Sequence, residues 1–264
     1  MLLDKKRILK CSNNLIGITH PGECKIGHKR RCPIVMIEPP VCLSDGIKLE
    51  THFWGMGTYI GEHTVVKQTE FIGRFSFIGE YCYIGAANQE FLNISNSMIF
   101  KDNSIAWYEH FLKINYPYGN KKRKKTRVGN DVWIGDNVTV FQGVNIGDGA
   151  AILSGTTVTC DIPPYAVISG NPGTICGYRF EREVIAELLQ LRWWKFGIDL
   201  FKNIKLNDIS IEEIVAYQKE HIEDLEEIKY GFRSFKFAWS SNKWIVSYEE
   251  GGKKAIYQMV PEES

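Results

Sequence analysis

Aliphatic residues recur at every sixth position in two blocks of the chain: Ile60, Val66, Ile72, Ile78 and Ile84, then Val128, Ile134, Val140, Ile146, Ile152 and Val158. Gly directly follows seven of these eleven. A half-buried strand alternates with a period of about 2 and a helix repeats near about 3.6, so neither template accounts for both blocks. A six-residue unit is too short to bury a face alone. Stacked as successive coils of a parallel β-helix, such units send each aliphatic side chain into a shared interior column. The Gly that follows suits a tight corner with positive φ or close backbone approach. Trp54-Gly55 falls one step before Ile60 and starts the first block. The pattern predicts a mainly β fold, with coils over residues 51–175.

Outside the blocks the pattern changes. Residues 1–50 show no clear period and carry Pro39-Pro40 and Ser44-Asp45-Gly46, which predicts an irregular cap over the first coil. The 44 residues from Ile84 to Val128 are not a multiple of six, so an excursion leaves the coils over residues 86–127. Long excursions from a rigid scaffold commonly carry function. This one holds Phe91, Phe100, Trp107, Tyr108, Phe111, Tyr116, Tyr118 and His110, then Lys121-Lys122-Arg123-Lys124-Lys125 with Arg127. The basic run reads first as a solvated loop and second as a clamp for phosphate or an acidic polymer. Residues 176–264 form a tail. Val184, Ile185, Leu188, Leu189 and Leu191 follow helical spacing, and Ser210 with Glu213 makes a capping box ahead of a second helix. Trp244–Tyr248 and Ala255–Tyr257, separated by Glu249-Glu250-Gly251-Gly252, read as a hairpin.

Composition narrows the function classes. The 264 residues are 44% hydrophobic and 24% charged with a net charge of +1, so no global charge argues for nucleic acid. Met1-Leu2-Leu3-Asp4-Lys5-Lys6-Arg7 opens the sequence without an apolar run of signal-peptide or membrane-span length, which points to the cytoplasm and reduced thiols. His20, Cys24, His28 and Cys32 are spaced by four, but Pro21, Gly22 and Gly27 interrupt any shared helix face and no Cys-x-x-Cys pair occurs. Free thiols, and no metal, are the expectation. His52 and His63 read as solvated coil faces.

Val128-Gly129-Asn130-Asp131-Val132-Trp133-Ile134-Gly135 through Gly170-Asn171-Pro172 resembles the hexapeptide-repeat acyltransferases. Tyr178-Arg179-Phe180 and the helix ending Leu191-Arg192-Trp193-Trp194 are similar to the xenobiotic acetyltransferase branch, with its streptogramin and type B chloramphenicol acetyltransferases. The resemblance covers roughly residues 55–200. It implies a left-handed parallel β-helix, a homotrimer with sites between subunits, acetyl-CoA as donor, and a His that takes the proton of an acceptor hydroxyl or amine. The base follows Asn a few residues after a coil in that family. Here Asn88 is followed by Gln89, and glutamine accepts no proton. Three explanations stand: His110 acts as the base, orientation of a reactive thioester suffices, or catalysis has been lost and a binding scaffold remains. The resemblance also places Trp133 beside the acyl-transfer centre, assigns Asp136, Ser154 and Thr159 to CoA contacts, sets Pro172 at the nucleotide and keeps Arg179 for phosphate. Basic residues common in the family are replaced by Cys160 and Thr174. The function implied is acetyl transfer to a sugar of a surface polysaccharide or its nucleotide-linked precursor. An antibiotic acceptor is the runner-up.

Overall fold

The structure is a computed structural model and describes residues 2–3, 16–18, 24–27, 32, 34–87, 124–201, 209–224, 226–230, 233–241, 243–250 and 253–261. Its body is a left-handed parallel β-helix whose aliphatic repeats form three interior columns. One column runs Ile37, Trp54, Ile72, Val128, Ile146, Ile162, each residue paired in parallel register with the next. The second runs Leu43, Ile60, Ile78, Ile134, Ile152, Ile168, and the strand Ile16–Ile18 pairs in parallel with Val41–Leu43. The third runs Ile26, Leu49, Val66, Ile84, Val140, Val158. Most of these side chains have no exposed surface, and they form one continuous core cluster.

The position two residues before most column residues is also interior, and at many coils it takes a small polar side chain. Thr58, Thr64, Ser76, Cys82, Thr126 and Thr156 stand there, all at 2% exposure or less. Thr58, Thr64, Ser76, Cys82 and Thr126 donate their polar hydrogens to backbone carbonyls of the coil stacked on them, as in Thr58 Oγ1 to Gly73 at 2.9 Å, Thr64 Oγ1 to Gly79 at 2.7 Å and Cys82 Sγ to Gly135 at 3.1 Å. Burial pushes the Cys82 thiol up to about 11, so it serves as a packed donor.

Residues 34–50 of the segment expected to be an irregular cap are themselves coiled. Ile34–Ile37 pairs in parallel with Lys48–Trp54, and Val41–Leu43 with Tyr59–Ile60. Ile37, Leu43 and Leu49 are spaced by six, but five residues separate Leu49 from Trp54. This one-residue deletion shifts the phase and hides the coils from a strict six-residue count. Ile84 and Val128 are adjacent column residues separated by 44 positions where six suffice, so the excursion adds 38 residues at one corner.

At the far end the strand Thr174–Tyr178 turns back antiparallel on Ala166–Ser169. Helix α1 (Arg182–Leu191) and helix α2 (Ile211–His221) follow, and α2 carries the capping box between Ser210 and Glu213. Leu188, Leu191 and Val215 pack with Tyr165 in a second, smaller core. The expected hairpin is present as Lys243–Glu250 with Lys253–Pro261, and an additional strand, Arg233–Ser240, precedes it. That strand pairs antiparallel with Ile34–Ile37. The tail therefore closes the open edge of an early coil and continues its sheet.

Candidate active site

Among the described residues, those singled out from sequence lie on a coil strand, as Trp133 does, or in the turns and bends that follow strands. Trp133 sits just before the column residue Ile134, so strand alternation turns its side chain outward, at 41% exposure. The Trp133 main-chain N–H donates to the Ala150 carbonyl at 2.9 Å, and the Val132 carbonyl accepts the Phe77 main-chain N–H at 2.8 Å. Phe77, the register partner of Trp133, is 40% exposed and stacks on Tyr59 with centroids 4.9 Å apart.

The turn that delivers Trp133 is held on several sides. Asn130 is 6% exposed; its N–H and side-chain amide both donate to Asp148 Oδ1, at 2.7 and 2.9 Å. Its Oδ1 accepts the Arg74 N–H at 2.9 Å and the Tyr230 hydroxyl at 2.8 Å. Asp131, at φ 54°, receives Arg179 Nη1 on Oδ2 at 3.0 Å. Burial raises the Asp131 carboxyl above its ordinary value and the Arg179 charge opposes this. Arg179 also donates to the Gly149 carbonyl at 2.8 Å, and its guanidinium lies over the rings of Tyr165 and Phe180. The cation read from sequence as a phosphate contact is thus turned towards the coil.

Asp136 and Ser154 meet at another corner. Ser154 Oγ accepts the Asp136 N–H at 3.0 Å, and Asp136 Oδ1 accepts the Glu80 N–H at 2.9 Å. Both are exposed, but their side chains are engaged in holding neighbouring coils. Thr159 and Pro172 are exposed and close along the chain fold, since the Gly170 carbonyl accepts the Thr157 N–H at 3.0 Å and the Gly173 N–H donates to the Thr157 carbonyl at 2.8 Å.

Asn88, Gln89 and His110 lie outside the described residues, as do Lys121, Lys122 and Arg123. The root of the excursion is described. Lys125 Nζ is 3.2 Å from both ring nitrogens of His52. Burial, then the Lys125 charge, lowers the His52 pKa, while Glu70 opposes them. His52 is therefore half-buried beside a cation, not a solvated face, because the corner strand Lys48–Trp54 turns it under the returning loop. His63 is exposed as expected and tilts against Tyr81. Lys124 faces Asp161 at 3.7 Å and Arg127 faces Glu70 at 2.9 Å, so this end of the basic run has coil partners. Cys32 is buried, donates to the Thr51 carbonyl at 3.4 Å and has its thiol pushed up to about 11 by burial. His20 and His28 lie outside the described residues.

Arg74, Asn130 and Tyr230 were not singled out from sequence. The only local signal was the polar pair Asn130-Asp131 directly ahead of Val132-Trp133. Among the described residues no group of three His, Cys, Asp or Glu side chains is placed to hold a metal ion. No helix among them is long and apolar enough to cross a membrane.

No protein-family model matches the chain. In sequence it is similar to a probable macrolide acetyltransferase of Lysinibacillus sphaericus, 43% identical over 93 residues, which are 34% of this chain and 52% of that protein. It is also similar to a chloramphenicol acetyltransferase of Agrobacterium fabrum, 35% identical over 134 residues, or 50% of this chain and 62% of the relative. The chain thus spans between about half and two thirds of the length of these relatives. A solved structure of AntD, an N-acyltransferase from Bacillus cereus bound to dTDP-4-amino-4,6-dideoxyglucose and coenzyme A, superposes with a TM-score of 0.48 at 18% identity, covering 73% of this chain and 98% of AntD.

Proposed function

We propose, from the chain's place among the hexapeptide-repeat acetyltransferases related to the chloramphenicol and macrolide enzymes, that it transfers acetyl from acetyl-CoA to a hydroxyl or amine of a sugar. The observation that carries acetyl transfer is the sequence kinship, joined to an outward, 41% exposed Trp133 on a coil edge. Acetyl-CoA supplies an activated acetyl group as its thioester. Trp133, Asp136, Ser154, Thr159 and Pro172 line the donor strip, mostly through backbone edges. Arg179 belongs to the same strip by holding the turn before Trp133. The Trp133 indole N–H donates to the carbonyl oxygen as negative charge develops on it. His110, with Asn88 and Gln89 at the base of the same excursion, accepts the proton of the acceptor oxygen or nitrogen.

The sugar is favoured by the excursion sequence, where aromatic rings suited to sugar C–H faces are dense. The second reading, an antibiotic acceptor, is supported by the names of the relatives, which are chloramphenicol and macrolide acetyltransferases. A cytoplasmic homotrimer completes the proposal. Cys32, Cys42, Cys82, Cys160 and Cys176 are all unbridged, as in a reducing compartment, and exposed Phe77, Trp133 and Ile175 offer apolar surface for a neighbouring copy.

Calorimetric titration with acetyl-CoA tests the donor, and release of CoA thiol with nucleotide-sugar or chloramphenicol acceptors tests the transfer. Saturable binding with acceptor-dependent thiol release is expected. No binding at millimolar acetyl-CoA would leave only the scaffold reading. His110→Ala is expected to lower turnover by about two to four powers of ten with donor affinity nearly unchanged. Turnover close to wild type would remove His110 from the mechanism.

A further inference from the structure

The C-terminal tail beyond residue 225 lies outside the region that resembles acetyltransferases, yet it touches the turn that presents Trp133. Tyr230 donates its hydroxyl to Asn130 Oδ1 at 2.8 Å. The same oxygen accepts the Arg74 N–H at 2.9 Å, and Asn130 stands three residues before Trp133. Arg74 secures the other side of Tyr230. Its guanidinium lies 4.1 Å from the Tyr230 ring centroid and donates to the Ile228 carbonyl at 2.8 Å and to the Trp194 carbonyl at 3.3 Å. The two remaining nitrogens meet the Glu38 carboxylate at 2.7 and 2.9 Å. Phe53 and Phe71 meet the Tyr230 ring edge-on at 5.5 and 5.6 Å. The hydroxyl is thus aimed by a ring fixed on three sides, and it reaches a buried amide whose other groups are already bonded.

We propose that Tyr230 is a positioning residue for Trp133, acting through Asn130, so that the tail takes part in acetyl transfer as well as closing an early coil. The inference rests on the reading of Trp133 as part of the donor strip. A tail that served only as an edge cover would need its strand pairing with Ile34–Ile37 alone. Tyr230 adds to that pairing a polar contact directed at the loop ahead of Trp133.

Tyr230→Phe removes the hydroxyl and keeps the ring on Arg74. Two readouts separate positioning from bulk stability: the indole N–H resonance of Trp133, assigned with Trp133→Phe, and calorimetric affinity for acetyl-CoA. Ala238→Gly is the control, because it loosens the tail strand opposite Ile34 and leaves Tyr230 intact. The expected result is a shifted Trp133 resonance and an affinity lowered about threefold to tenfold in Tyr230→Phe, the size of one hydrogen bond, with neither change in Ala238→Gly. An unmoved resonance with unchanged affinity in Tyr230→Phe overturns the proposal, and so does an equal shift in the control. Wild-type protein that binds no acetyl-CoA overturns the acetyl-transfer reading itself, a result distinct from wild-type binding that Tyr230→Phe leaves untouched.

Discussion

A guanidinium without exposed surface is costly unless its donors are met, and Arg74 shows how the chain meets them. Its partners come from three distant segments: Glu38, the carbonyl of Trp194 and the carbonyl of Ile228. Glu38→Gln removes the charge opposite a fully buried cation and is expected to cost roughly 3–5 kcal/mol. Urea denaturation at neutral pH measures it, and a loss under about 1 kcal/mol would mean that the Arg74 charge is compensated without Glu38. His52 supplies a pH test. Its folded pKa lies below the ordinary 6.5, so the unfolded chain binds more protons between the two values. Stability is full above about 6.5 and falls as pH drops through that window. Lys125→Met is expected to raise the His52 pKa towards 6.5 and narrow the window, read by histidine ring-proton NMR. An unchanged pKa would leave burial as the whole cause. Neither Arg74 nor His52 could be read from the sequence, because their partners lie far along the chain and no periodicity marks such pairs. Trp133 could be singled out because its motif is local.

At the scale of the single coil, the stacking distance is set by backbone packed against backbone. A Cβ on Gly61 would stand 2.6 Å from Gly79 C and 2.7 Å from Glu80 N, both main-chain atoms of the next coil. Gly61→Ala must push two coils apart, with an expected loss of about 1–3 kcal/mol. Gly177 has nothing within 4 Å of such an atom, so Gly177→Ala is the matched control and should stay within about 0.5 kcal/mol of wild type. Thermal unfolding of the two variants compares them directly, and equal midpoints would contradict the close-contact account. The coils from Ile60 onwards were readable because their spacing is strict. Those through Ile37, Leu43 and Leu49 keep the same spacing but lose one residue before Trp54, and the break in phase concealed them.

Across the whole molecule, the tail strand Arg233–Ser240 covers an edge formed near the start of the chain. Removing residues 226–264 would uncover the Ile34–Ile37 edge and leave Arg74 without Ile228 and Tyr230. The truncated protein is expected to unfold at a markedly lower temperature and to aggregate, measured by light scattering during a thermal ramp. A truncation that melts like the full chain would show that the coil stack needs no such cover. The hairpin was legible from its alternating residues and Gly251-Gly252. Its docking site was not, since antiparallel pairing between distant segments leaves no repeat in the sequence.

The pairing of Met36 with Lys236 joins positions 200 residues apart, and that distance has a consequence during biosynthesis. A ribosome adding about 5–20 residues per second makes the first partner roughly 10–40 seconds before the second. Throughout that interval the nascent coils present an unsatisfied strand edge to other nascent chains. Expression yield should therefore respond to translation speed and to chaperones that shield β-edges, even when the finished protein is stable.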